Sequence, residues 1–379
     1  MKKLGLTIFF DSFALMLLGL LIVMSASSTY SVFKFDSVFY LFNSHLFKVF
    51  IGIAAIILFA FIPYDIYRSL SKPVIIATTI LLVVTLFFAQ DIKGAGRWLN
   101  LGIISIQPAD IARLVLIVHL AVLIEDKANV LDNYRHGFLY LFIWIMSISG
   151  LIMLQPNISS GIMLIFISLV LIYAGGAKFK HIITSTLLSG FVIGLASMIF
   201  PHSRSRILSY VNSIINGGDL NFQVKQALYS LGSGGIFGVG IGNSMQSNLF
   251  LPEAYGDFIF AILGEELGLI GSITVLLAYL ILFVAGILVA KKAKDRFGQL
   301  LAFGITISIV FYAFVNVAVT TGVLPTTGLP LPFISYGGTS MIFLCISVGI
   351  LINIAFTNHM RDNGVLYVKD DNKLDEINR

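Results

Sequence analysis

Asp257 is the residue in this chain best placed to do chemistry. It lies in the run Leu251-Pro252-Glu253-Ala254-Tyr255-Gly256-Asp257-Phe258-Ile259-Phe260, at the opening of a long apolar segment. A carboxylate at such a boundary, flanked by aromatics and partly desolvated, has its charged form disfavoured and can act as a general base. The same position also suits an aspartate that caps the first turn of a helix, and on residue physics alone the cap is the plainer reading. Glu265 and Glu266 follow about two helical turns later. One of them can face a polar interior, and neither makes a clear catalytic pair with Asp257.

A second acid sits deeper in an apolar stretch. Asp110 and Arg113 are three residues apart, on one face of a helix. Ionisable groups in such places are expensive and point to function. They can neutralise each other in a helix bundle, line a cavity for a charged substrate, or do both. Among the basic residues, Lys93, Arg97, Arg204, Arg206 and Lys225 could bind phosphate, arginine doing so bidentately. The alternative is that they are solvated or anchored to lipid headgroups. The run Gly232-Ser233-Gly234-Gly235-Ile236-Phe237-Gly238-Val239-Gly240-Ile241-Gly242 lacks the strand and the Lys-Ser/Thr of a nucleotide loop, so close backbone approach or tight turning explains it better. No His/Cys/Glu cluster has metal-ligand spacing, no Ser-His-Asp arrangement is visible, and the lone Cys345 excludes an intramolecular disulfide.

The elements that must position these residues follow from composition. The 379-residue chain is 58% hydrophobic and only 11% charged, against about 25% charged in a soluble protein. Its mean hydropathy is +0.96, so the apolar surplus faces lipid. A span needs roughly 20 apolar residues, which predicts about ten helices, near 6–27, 46–63, 74–90, 108–124, 137–154, 159–175, 182–200, 257–290, 300–322 and 338–356. The eighth is too long for one plain span, and its first part reads as a tilted or interfacial lead-in. The expected fold is therefore an all-α integral membrane protein, a single polytopic domain over 1–356. A large loop at 201–256 separates helices seven and eight, and a short polar tail occupies 357–379. The first apolar run, after Lys2 and Lys3, reads as a retained span and not a cleaved signal. Arg68, Lys72, Lys127, Arg135, Lys178, Lys180 and the cluster Lys291–Arg296 fall on one side, which the positive-inside rule makes cytoplasmic, with both termini.

Several runs, in order along nearly the whole chain, resemble the SEDS family of peptidoglycan glycosyltransferases (FtsW, RodA and SpoVE type). They are Gly94-Ala95-Gly96-Arg97-Trp98-Leu99, Gln107-Pro108-Ala109-Asp110-Ile111-Ala112-Arg113-Leu114, Gln155-Pro156-Asn157, the stretch from Gln226 to Glu266, and Gly328-Leu329-Pro330-Leu331-Pro332-Phe333-Ile334-Ser335-Tyr336-Gly337-Gly338. The resemblance implies polymerisation of lipid II, an undecaprenyl-pyrophosphoryl disaccharide-peptide, at the outer face of the bacterial cytoplasmic membrane. It raises Asp257 to the catalytic residue, the general base on the acceptor hydroxyl. Lys93, Arg97, Arg206, Lys225 and Gln226 become substrate and pyrophosphate contacts. Gln107, Asp110, Arg113, Asn157 and Ser335 become cavity-lining residues. It implies a class B penicillin-binding protein as partner in a lipid membrane, and no nucleic acid. A divalent cation, Mg or Mn, can assist, although no ligand set demands one.

The chain departs from the family pattern in places. Ala109-Asp110 and Arg113 replace Ser-Glu and Lys, keeping the charge signs. Asn157 replaces an aspartate and cannot be an anion or ordinary base, and Gly256 replaces a threonine. The usual Asn-Pro-Trp before the large-loop Gln motif is missing. The short spacing from Gly240 to Glu253 looks like the FtsW and SpoVE branch, and FtsW-like septal synthesis is the expected role. Two rival readings are a lipid II flippase and a non-catalytic scaffold for a penicillin-binding protein.

Overall fold

A computed structural model of the chain describes residues 1–92, 95–100, 105–199, 201–215, 221–248 and 250–364. Helix dominates because a segment in hydrocarbon must satisfy its backbone N–H and C=O groups internally. The helices are α1 (Lys2–Phe35), α2 (Tyr40–Phe61), α3 (Asp65–Phe88), α4 (Pro108–Asp126), α5 (Leu139–Leu154), α6 (Ile158–Ala174), α7 (Phe179–Ile199), α8 (Pro201–Ile215), α9 (Phe222–Gly234), α10 (Ile259–Lys292), α11 (Arg296–Thr320) and α12 (Thr339–Asp362). Seven are long and apolar enough to cross a membrane among the described residues: α1, α2, α3, α5 with the turn that leads into it, α10, α11 and α12. The other three predicted spans are also helices. They are α4, which carries Asp110 and Arg113, and the apolar α6 and α7.

The helices overrun the apolar stretches that predicted them. The second begins at Tyr40 and the third at Asp65, so polar residues such as Ser44 and His45 ride on helical turns and not in a loop. The predicted tail starts later too, since α12 runs to Asp362. The expected loop at 201–256 contains α8 and α9. An addition to the all-α expectation is a small antiparallel sheet, β1 (Gln90–Ile92), β2 (Ala95–Asn100) and β3 (Ser105–Ile106), in that order. In it Leu99 pairs with Ile106 and Asn100 with Ser105. The stretch leaves helix α3 and must return to α4 over a short distance, and backbone pairing satisfies its polar groups on the way.

In the packed core α12 lies on α2, α10 runs between α1 and α11, and α3 lies on α4. One end of the bundle, bearing the N-terminus and Asp362, is tied by ions. Asp295 accepts hydrogen bonds from the Tyr64 hydroxyl, from Arg361 Nη1 at 2.9 Å and from Gly298 N at 2.8 Å. Arg68 joins Glu125 at 2.9 Å, and Lys294 joins Asp362 at 2.9 Å. Burial, reinforced by the bond to Asp295, pushes the Tyr64 phenol well up, so it stays a donor in this network.

The opposite end is organised by a backbone crossing. Helix α10 is broken at Gly268, whose φ of 69° and ψ of −164° are not helical. At the break the Gly-rich segment runs against the helix backbone. Val239 N donates to Glu265 O at 2.9 Å, Gly240 N to Glu266 O at 3.0 Å, Leu269 N to Gly235 O at 2.9 Å and Ile270 N to Ile236 O at 3.2 Å. This is the close approach that the glycine spacing predicts. Gly238 has φ 81°, and a Cβ there would collide with the Glu266 carbonyl. Gly238→Ala should therefore sharply lower the yield of folded protein in detergent. Gly232→Ala meets nothing within 4 Å and should stay within about 0.5 kcal/mol of wild-type stability in a thermal melt.

Candidate active site

A cavity of ≈ 960 Å³ opens at the end of the bundle away from the ionic network. Its walls come from α2, the β-hairpin, the starts of α4 and α6, α8, the segment before α10 and the segment before α12. Asp257, Arg97, Arg206, Asn157 and Gln107 all line it, together with Lys48, Trp98, Gln223, Glu253, Tyr255 and Tyr336. Residues spread over most of the sequence thus meet in one water-accessible space.

Asp257 is not a helix cap. Phe258 occupies the N-cap position of α10, with no side-chain cap bond, so the carboxylate is left to face the cavity. The backbone beneath it is held at consecutive carbonyls. Tyr336 N donates to Tyr255 O at 2.9 Å, Ser335 Oγ to Gly256 O at 2.7 Å and Asn316 Nδ2 to Asp257 O at 2.7 Å. Asn316 also bonds Leu329 O at 2.8 Å, and Ser335 Oγ accepts from Leu331 N at 2.7 Å. The Gly328–Gly338 stretch is therefore a brace for the aspartate. Gly328 itself has φ 73°, and a Cβ there would stand 3.3 Å from Asp257 Oδ2 and 3.8 Å from Arg206 Nη1, so carboxylate and guanidinium flank one point.

Arg97 reaches the same cluster from the hairpin. It donates to Pro156 O at 2.5 Å, at the corner between α5 and α6. Burial draws its pKa below the usual arginine value, Arg206 adds to that, and Asp257 opposes it. Two guanidiniums near one carboxylate leave a net positive field, suited to an anionic ligand. Tyr255 is driven well up by burial and by its hydrogen bond with Tyr30, which keeps it a neutral wall residue. Asn157, 5% exposed, lines the cavity with Nδ2 lacking a partner among the described residues. Gln107 is positioned by its own N–H, which donates to Thr339 Oγ1 at 3.0 Å.

Other predicted residues lie elsewhere. Asp110, Arg113 and Ser335 line a separate pocket of ≈ 30 Å³ behind Pro330 and Ser340, residues that both spaces share. Asp110 and Arg113, read as a neutralising pair, a cavity lining or both, are near enough to interact electrostatically, and each also has surroundings of its own. Arg113 sits over the Tyr312 ring, 4.3 Å from its centroid, and Asp110 Oδ2 is buried without a hydrogen-bond partner among the described residues. Lys225 and Gln226 do not line the cavity. Gln223 does so, from the first turn of the same helix. Lys93 lies outside the described residues.

Lys48, Trp98 and Asn316 were not singled out by sequence reasoning. Asn316 is an isolated amide in an apolar helix, whose partners only the tertiary fold supplies. Lys48 had a readable signal, an ionisable residue within an apolar segment.

The family model for cell cycle proteins of the FtsW, RodA and SpoVE type matches residues 6–360. The chain belongs to the FtsW/RodA/SpoVE family. Stage V sporulation protein E of Bacillus subtilis is 36% identical over 345 residues, covering 90% of this chain and 94% of that protein. A probable peptidoglycan glycosyltransferase FtsW of Geobacter metallireducens is 34% identical over 358 residues, covering 93% and 95%. These relatives carry the branch names that the short loop spacing suggests. Among solved structures, a chain of one described as "Structural coordination of polymerization and crosslinking by a peptidoglycan synthase complex" superposes with a TM-score of 0.75 at 22% identity, covering 93% and 97%. The rod shape determining protein RodA of Thermus thermophilus gives 0.69 at 23%, covering 93% and 96%. The fold is thus the multi-pass helical fold of this family.

The loop that carries Asp257 is anchored by a buried acid that does not line the cavity. Glu265, 2% exposed, accepts from Ser230 Oγ at 2.8 Å, Ser244 Oγ at 2.6 Å, Met245 N at 3.0 Å and Gln246 N at 3.4 Å. Glu265→Gln keeps the shape but turns one acceptor into a donor against this shell. We expect a loss of about 2–4 kcal/mol, read as a lower midpoint in thermal unfolding of the detergent-solubilised protein.

Proposed function

We propose that this chain is a peptidoglycan glycosyltransferase that polymerises lipid II, with Asp257 as the general base. The observation that carries this reading is the braced Asp257 carboxylate, set in a cavity beside Arg97 and Arg206. The names of two relatives at 33–34% identity, each a probable peptidoglycan glycosyltransferase FtsW, support the same activity. Chain ends with Lys2, Lys3 and Arg361, and loops with Lys127 and Lys178, share the ionic end of the bundle, which by the positive-inside rule supports a cytoplasmic reading of that end and an outward-facing cavity.

In the reaction the acceptor hydroxyl oxygen attacks the donor anomeric carbon as Asp257 takes its proton. Such a base contributes about 10²–10⁴-fold. The bond from that carbon to the diphosphate oxygen breaks, and negative charge grows on the leaving group. Arg97 and Arg206 line the same cavity, so their positive charge can stabilise that group as it develops. Asn157 offers a free N–H donor to the sugar-peptide, where an aspartate would offer only an acceptor. For a divalent cation, Glu253 is a cavity carboxylate close to Gly256, and Mg typically takes one or two carboxylates plus substrate phosphates. Bound there, it would neutralise diphosphate charge. The partner expected for the nascent strand is a class B penicillin-binding protein, and the FtsW-like branch points to septal synthesis.

The test is glycan polymerisation from purified lipid II, with a cognate partner whose transpeptidase is inactive. Wild type should form polymer, while Asp257→Asn, folded and partner-bound, should lose at least about 10²-fold. Equal polymer from both would remove Asp257 from the chemistry. Lipid II binding without polymer from wild type would favour a flippase.

A further inference from the structure

Lys48 takes no part in the chemistry assigned above, yet the cavity presents it from a membrane-spanning helix. A cation there is held against a desolvation penalty and marks a functional position. Its ammonium donates to the Tyr336 hydroxyl at 3.2 Å and stands 4.3 Å from the centroid of that ring. Ser44 Oγ lies 3.2 Å from the same hydroxyl. The partner of the ammonium is thus a hydroxyl, itself held by Ser44, which orients the charge without neutralising it. Arg97 is tied instead to Pro156 O, at the corner between α5 and α6, so Lys48 and Arg97 reach the cavity from different elements.

The surroundings of Lys48 define what it would bind. Phe47 and Ile51 on α2 and Ile342 on α12 line the cavity beside it, and Phe47 is 61% exposed on the bundle surface. A cation with hydroxyl donors, bordered by apolar side chains that continue to the lipid-facing surface, fits an amphiphile with a phosphate head and a hydrocarbon chain. Tyr336 extends the wall further, since its ring meets that of Tyr255 edge-on at 5.8 Å.

We propose that Lys48, with Ser44 and Tyr336, is a second diphosphate anchor, which holds the lipid-linked diphosphate of the acceptor while Arg97 and Arg206 hold that of the donor. This rests on the transferase reading. The new bond joins the acceptor oxygen to the donor anomeric carbon, and the electron pair of the broken bond leaves on the donor diphosphate. The proton passes to Asp257. The acceptor's own bond to its diphosphate stays intact, so the group at Lys48 is a handle that fixes where the attacking hydroxyl sits. Placing the leaving diphosphate beside Asp257, and the retained one on another wall, matches that division.

The experiment uses the full chain in nanodiscs and compares wild type, Lys48→Met and Lys48→Arg. Lys48→Met should raise the KM for lipid II polymerisation about tenfold or more, the scale of one charged hydrogen bond, with a much smaller change in kcat. Lys48→Arg should recover most of it, because the charge returns. Binding of undecaprenyl diphosphate to Asp257→Asn protein, which keeps both anchors, should reach two equivalents per chain, falling to one when Lys48→Met is added. An unchanged KM in Lys48→Met, or equal kcat losses in both Lys48 variants at unchanged KM, would overturn the anchor. Should wild type make no polymer at all, the transferase reading fails, but the binding arm still decides: loss of one equivalent upholds a Lys48 diphosphate site, and unchanged stoichiometry sinks it.

Discussion

The Glu265 carboxylate lies inside a shell of hydroxyl and amide donors, and its burial makes that shell obligatory. A buried charge without partners would be strongly destabilising, so Ser230 of α9 and Ser244, Met245 and Gln246 of the following segment are drawn to one point. Glu266 does the same for Gly242 N, at 3.1 Å, and for Ser25 of α1. Two adjacent acids thus fasten a glycine-rich chain to a broken helix and to α1. The path from Gly234 to Asp257 follows from that fastening, and with it the placing of the proposed base.

The two ends of the bundle use charge differently. At the ionic end, Arg68, Asp295, Arg361 and Glu125 satisfy one another, and the result is a clamp across α3, α4, α11 and α12. At the cavity end, Lys48, Arg97 and Arg206 share a space with Glu253 and Asp257. Their groups border open volume, where a ligand can meet them. Stability and chemistry are separated by the thickness of an apolar core. Between the two, Asp110 and Arg113 occupy a water-sized pocket that touches the cavity's rear wall through Pro330 and Ser340.

Helical spans and their order were legible because apolar length speaks directly to the bilayer. Asp257 was legible only as a choice between a cap and a base, since both readings share the same local pattern; the structure removes the cap, because Phe258 takes that position. The brace was not legible at all. Asn316 sits in an apolar helix, and its partners Asp257 O and Leu329 O come from segments far apart in sequence. Lys225 and Gln226 were read as loop residues, whereas they lie on α9 and outside the cavity lining. The hairpin was missed for a related reason. Its short strands carry little alternation, and pairing, not pattern, creates them.

The roof of the cavity rests where Trp98 of β2 meets Gly338 at the start of α12. A Cβ on Gly338 would stand 2.8 Å from the Trp98 ring, too close for any real side chain. The height of the chamber is thus set by the absence of a single carbon atom. The indole comes down onto bare backbone and shuts a seam that even a methyl would wedge open. A side chain at position 338 would push the indole of Trp98 away from α12 and so reshape the cavity that both residues line.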